Sequence, residues 1–154
     1  MSFPDAVQSH RLEISPGHPL GVTEDMIKAL VNDFYGKVRQ DPELGPIFSG
    51  VITDWEPHLQ KMCDFWSSVT LMSGRYHGTP MAAHARLKGV GPEHFARWLR
   101  LFEDTAGEVC PPEAAALFVD RSRRIAQSLE MGMAVMRGEL PEVRPRGASF
   151  ETPS

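Results

Sequence analysis

Cysteine is scarce: Cys63 and Cys110 are the only two in 154 residues. They are too few and too far apart for a disulfide framework, and neither lies in a CxxC or CxxCH pattern, so both are expected to be small buried thiols. Long hydrophobic runs are absent as well. No stretch approaches the ~18 consecutive apolar residues that a membrane helix needs, and MSFPDAVQSHRLEIS lacks the basic and apolar regions of a signal peptide. The expected address is the cytoplasm, with no membrane partner. Basic excess is missing too: 16 Lys and Arg face 20 Asp and Glu, for a net charge of −4. With no basic block to follow a phosphate backbone, nucleic acid is excluded as a partner. There is no GxxxxGK[ST] loop, no GxGxxG after a strand, no HExxH and no GxSxG, which leaves nucleotide and hydrolase chemistry without support. No internal repeat and no convincing strand is found.

What is present is helical period. The chain is 42% hydrophobic and 23% charged, the composition of one globular domain able to bury roughly two-thirds of its unfolded surface. Residues 1–22, broken by Pro4, Pro16, Gly17, Pro19 and Gly21, are expected to be an irregular extension. From Thr23, a candidate N-cap, apolar residues recur at Met26, Ile27, Leu30, Val31, Phe34, Tyr35 and Val38, predicting a helix that ends near Arg39. The segment 41–48, DPELGPIF, is expected to form a compact corner of short helical turns with a buried tip. Trp55, His58, Leu59, Met62, Phe65, Trp66 and Val69 then share one face of a helix between Asp54 and Met72. Its opposite face, with Lys61, Asp64, Ser67 and Ser68, is expected to meet water. A short helix, PMAAHARL, follows a loop at 73–79. A fourth helix opens at Gly91-Pro92, turning Phe95, Trp98, Leu99, Phe102 and Val109 inward and Arg97 and Arg100 outward. Cys110-Pro111-Pro112 separates it from a last helix, which reaches Met136. The domain is expected over 23–137, with 138–154 a Pro- and Gly-rich disordered tail. The fold class is all-α.

Three hydrogen-bond donors stand on faces that should be dry: Tyr35, His58 and Trp98. Histidine on an apolar face is ordinarily a satisfied core residue, and aromatic residues at helical spacing are ordinarily core, so either role stays open for each. His84 lies mid-way along a short, weakly amphipathic helix between loops, where it is either exposed or turned inward to bind something. A zinc site is a poor account of these histidines. Cys63 is five residues beyond His58, about 140° around the helix, and His10, His18 and His77 fall in irregular segments and are expected at the surface.

The stretches FYGKVRQDPELGPIF (34–48), WEPHLQKMCDFW (55–66), GRYHGTPMAAHARL (74–87) and GPEHFARWLRLFEDT (91–105) together resemble the truncated haemoglobins, and within them group III. The specific feature is the combination of Tyr, His and Trp at these three places with a second His between the last two. The resemblance implies a shortened globin fold, two helices stacked over two others around a non-covalently held haem b. It makes His84 the proximal iron ligand, its other ring N–H meeting a backbone carbonyl near Pro80. It puts Tyr35, His58 and Trp98 on the distal side with Met62, at a position where a smaller aliphatic residue is expected. Phe48 would stack on the macrocycle, and Phe34, Leu59, Phe65, Phe95 and Leu99 would complete the apolar surroundings. Arg75, Arg86 and Lys88 are candidates for the propionates.

That resemblance implies reversible binding of a diatomic ligand, O2 and also NO or CO, for storage, transport or sensing. A second function is a haem redox enzyme, a nitric oxide dioxygenase or peroxidase-like protein served by a separate reductase, since no reductase domain accompanies the sequence. The third is a cofactor-free helical interaction module.

Overall fold

The computed structural model describes residues 10–78 and 90–136. The segment holding His84, Arg86 and Lys88, the expected helix PMAAHARL and the expected C-terminal tail lie outside the described residues, as do residues 1–9.

Among the described residues, five α-helices follow a 3-10 turn at His18–Leu20: α1 (Glu24–Gln40), α2 (Leu44–Ser49), α3 (Trp55–Leu71), α4 (Pro92–Val109) and α5 (Pro112–Met136). No strand occurs among the described residues. The helix boundaries follow local chemistry. Thr23 caps α1, its Oγ1 accepting the Met26 N–H at 3.2 Å, with Glu24 and Asp25 in the positively polarised first turn. Asp54 occupies the N-cap of α3 with extended backbone, although its side chain makes no capping bond. Pro92 begins α4, where its missing N–H removes nothing from the helix.

The helices pair two over two. α1 lies against α3, α4 against α5, and α1 crosses onto α4, while α2 folds back over α1. The seam is made of residues at helical period: Ile27, Leu30, Val31, Phe34 and Val38 from α1, Trp66 and Leu71 from α3, Phe102 and Ala106 from α4, and Ala114 and Phe118 from α5. Phe102 lies flat between Trp66 and Trp98, ring centroids 5.2 and 5.5 Å away. Phe34 meets both Trp98 and Phe102 edge-on at 5.3 and 5.1 Å. This aromatic stack fixes the mutual position of α1, α3 and α4, the helices that bear the three donors.

Some sequence expectations are corrected here. The stretch before Thr23 is less irregular than expected, since residues 10–14 are helical and Ser15, Gly17 and Val22 are buried. Gly17 donates its N–H to the Thr70 carbonyl at 2.8 Å, and a β-carbon at Gly17 would stand 2.7 Å from that same oxygen. Only glycine permits so close a backbone approach, which period cannot reveal.

Ser67, expected on the solvated face of α3, is fully buried. Its Oγ lies 2.7 Å from both Glu24 Oε2 and Ser73 Oγ, and the Arg75 guanidinium closes the group by pairing with Glu24. Ser68 Oγ accepts the Tyr76 N–H at 3.0 Å, so the chain leaving α3 is tied to the helices on either side. A buried hydroxyl that bridges two elements contributes about 1–2 kcal/mol. Ser67→Ala is expected to lower the urea unfolding free energy by that amount; an unshifted midpoint would show that the group stabilises nothing.

Arg97, expected to point outward, is only 29% exposed, its Nε donating to both oxygens of Asp41 at 2.9 and 2.7 Å. The Cys63 and Cys110 thiols are unpaired, the first half-buried and the second buried, and desolvation pushes Cys110 up to about 11. Neither is a ready nucleophile.

Candidate functional site

A half-open, largely apolar cleft lies between the helix pairs, the kind of concavity in which cofactors and small ligands are held. Each side of it comes from a different element. α1 contributes Tyr35; α2 contributes Leu44, Ile47 and Phe48; α3 contributes His58, Met62, Phe65 and Trp66. The lining is completed by His94, Phe95 and Trp98 of α4, by Ile125, Ala126 and Leu129 of α5, and by Tyr76 and Val90. The walls are predominantly hydrocarbon and aromatic, and polar atoms enter at a few places only.

Tyr35, His58 and Trp98 are brought together in this cleft from three separate helices. Tyr35 and His58 meet edge-on, centroids 5.1 Å apart and planes at 88°. Phe34 joins Tyr35 to Trp98, touching the first at 4.9 Å and the second at 5.3 Å. Tyr35 is 5% exposed, and its burial holds the phenol far above its ordinary value, so the side chain remains a neutral O–H donor at every working pH. The indole N–H of Trp98 is a donor in any state. Phe48 stands against Tyr35 at 6.1 Å, where the compact corner of α2 turns inward as expected.

The remaining sequence candidates divide. Met62, Phe65 and Phe95 line the cleft beside the trio. Phe34 and Leu59 pack behind it in the core, and Leu99 is half-buried outside the lining. Arg75 is engaged by Glu24 and Ser67 rather than lining the cleft. His10, His18 and His77 are exposed, as expected, and no group of three or more metal-ligating side chains occurs among the described residues.

Two polar lining residues escaped the sequence reading. His94 sits four residues before Trp98, hence on the same face of α4, and that spacing was the available signal. Its Nδ1 accepts the Gly91 N–H at 2.9 Å, which leaves Nε2 as the ring donor. Tyr76 comes from a loop, where no period exists to reveal it.

A flat, largely apolar cofactor that carries a polar ligand on one face needs hydrocarbon walls with donors gathered on a single side. The residues present fit a haem: the cleft supplies hydrocarbon walls, and Tyr35, His58 and Trp98 supply donors close to one another. The comparisons with known proteins converge on the same class, a shortened globin fold. A family profile for bacterial-like globins matches residues 18–128. The group 3 truncated haemoglobin ctb of Campylobacter jejuni is 34% identical over 113 residues, covering 71% of this chain and 89% of that protein. The crystal structure of a group III truncated haemoglobin from the same organism superposes with a TM-score of 0.67 over the same shares of the two chains, at 34% identity. The group II truncated haemoglobin of Bacillus anthracis, 24% identical, superposes at 0.61 over 75% of this chain and 90% of its own, a likeness of fold. The chain therefore belongs to the bacterial-like globins, as a truncated haemoglobin of the group III type.

Proposed function

We propose that this globin binds haem b non-covalently in the cleft and holds a diatomic ligand, O2 and also NO or CO, against Tyr35, His58 and Trp98. The observation that carries this reading is the gathering of three donors from three helices in one largely apolar cleft. The haem, when bound, supplies an iron at which such a ligand coordinates, with His84 as the proximal ligand. Phe48, Phe65 and Phe95 exclude water from the macrocycle, and Met62 limits the space on the donor side. Arg86 and Lys88 remain the propionate candidates; Arg75 would first have to release Glu24.

Each donor that meets a polar ligand is worth about 1–2 kcal/mol, or roughly a five- to thirty-fold slower ligand escape. Three together favour retention over rapid delivery, the behaviour suited to storage, to sensing or to chemistry on the held ligand. Nitric oxide dioxygenation or peroxide turnover is the second reading supported by that donor set, with a separate reductase as partner. The unpaired thiols agree with a reducing cytoplasmic setting. No helix among the described residues is long and apolar enough to cross a membrane.

The first test is the visible spectrum of haem-loaded protein, reduced without oxygen and followed after air is admitted. A Soret band passing to a long-lived oxygenated spectrum is expected. Quick return to ferric haem would favour the redox enzyme, and the absence of a Soret band would overturn the haem reading. Trp98→Phe and Tyr35→Phe are each expected to speed O2 dissociation roughly five- to thirty-fold while haem uptake persists. Unchanged rates in both variants would remove these residues from the ligand's surroundings.

A further inference from the structure

His58 occupies the first turn of α3, where an imidazole has several rotamers open to it. Two aromatic rings pack against it. Trp55, one turn earlier on α3, stands at 5.6 Å with its plane at 89° to the imidazole, and Tyr35 of α1 stands at 5.1 Å and 88°. The two flanking rings also meet each other, at 6.1 Å and 52°. Trp55 is absent from the cleft lining, unlike Tyr35 and His58. Beyond Trp55, the exposed guanidinium of Arg39, one turn after Tyr35 on α1, lies over the indole at 4.6 Å. A run of side chains thus leads from a surface cation through the indole to the imidazole at the cleft wall.

We propose that Trp55, held in place by Arg39 through a cation–π contact, is a positioning residue that sets the ring plane of His58 and thereby the donor it presents to the cleft. This rests on the haem reading of the site. An imidazole that meets two mutually touching rings, each at near right angles, has its plane set by both, so the donor is pre-set when a ligand arrives and need not be ordered by it. Arg39 holds the half-buried indole against the imidazole; a flat guanidinium over a ring face does this at a solvent boundary where packing alone is weak. The pairs Tyr35/Arg39 and Trp55/His58 each lie on one helix face, so the arrangement also fastens the end of α1 to the start of α3.

The test uses ferrous holoprotein and reads both the O2 dissociation rate and the C–O stretching band of the CO complex. Trp55→Leu is expected to speed O2 dissociation roughly three- to tenfold, toward the rate of His58→Leu. Its C–O band is expected to broaden or split as the imidazole samples several orientations. Trp55→Phe should restore most of the wild-type rate and a single band. Adding Trp55→Leu to His58→Leu should change neither observable, because the indole acts only through the imidazole. A wild-type rate and band in Trp55→Leu would overturn the proposal, as would full additivity in the double variant. Should Trp55→Leu fail to load haem, Arg39→Ala at the surface supplies the same comparison, with a smaller shift in the same direction expected and no shift overturning the latch. A wild-type chain that takes up no haem would overturn the haem reading itself, a result distinct from either of these.

Discussion

His84→Ala is expected to abolish stable haem retention while leaving the helical fold intact. Two histidines line the cleft among the described residues, and both are otherwise engaged. His58 is packed edge-on against Tyr35 and Trp55, and the Nδ1 of His94 accepts the Gly91 N–H. A proximal ligand must reach the opposite face of a haem in this cleft; the resemblance to group III truncated haemoglobins gives that role to His84, which lies in sequence between Tyr76 and Val90, both of them cleft-lining. Losing the group that holds a metal costs more than losing an outer partner of that group, so haem release is expected to quicken at least about a hundredfold. Soret absorbance after transfer to excess apomyoglobin measures it, and free imidazole should restore part of the spectrum by filling the vacated position. His94→Leu, by contrast, should keep its haem. Retention of a normal ferrous spectrum by His84→Ala would place the iron ligand elsewhere, and a cofactor-free helical module predicts no difference between the variants at all.

Much of the architecture was legible because helical burial writes itself as period. Ile27, Leu30, Val31, Phe34 and Val38 recur at three and four residues, and all five are buried in α1; the ends of α3, α4 and α5 fall within about two residues of expectation for the same reason. The candidate distal trio was legible through contradiction, donors standing on apolar faces, and the fold brings those three into one cleft. What stayed hidden was set by partners far along the chain. Ser67 reads as a surface serine until Glu24, forty-three residues away, places an acceptor over it. Gly17 reads as a breaker until the Thr70 carbonyl arrives against it. Arg97 has the polarity of a solvated face, yet Asp41 draws it in across fifty-six residues.

That last tie carries the largest expected effect on stability. Asp41 ends α1 and begins the corner into α2, and its carboxylate is 8% exposed. Oδ2 accepts the Glu43 and Leu44 N–H groups at 3.0 and 2.9 Å, satisfying donors at the start of α2, while both oxygens accept from Arg97 Nε of α4. Asp41→Ala removes the turn acceptor and the ion pair together and leaves the partly buried guanidinium of Arg97 with less to hold it. The expected loss is about 2–4 kcal/mol of unfolding free energy. Asp41→Asn, which keeps an acceptor oxygen, should lose about half as much.

The pH dependence has a definite sign. Arg97, donating to the carboxylate, holds Asp41 down to about 2 from an ordinary 3.8, with the Leu44 and Glu43 N–H groups assisting against the opposing effect of burial. A carboxylate whose folded pKa lies below its unfolded one contributes stability in full above pH ~4 and loses it as pH falls toward 2. A shift of nearly two units corresponds to at most about 2.5 kcal/mol, which screening on the open side of the pair reduces to about 1–2. Urea midpoints taken between pH 4 and 2 should therefore fall more steeply for the wild type than for Asp41→Asn, and parallel curves would show that the tie adds nothing. Because α2 carries Leu44, Ile47 and Phe48 into the cleft, the proposed haem site adds a second consequence: in Asp41→Ala, faster haem loss should accompany the lower midpoint, while Ser67→Ala, which leaves α2 untouched, should lower the midpoint without it.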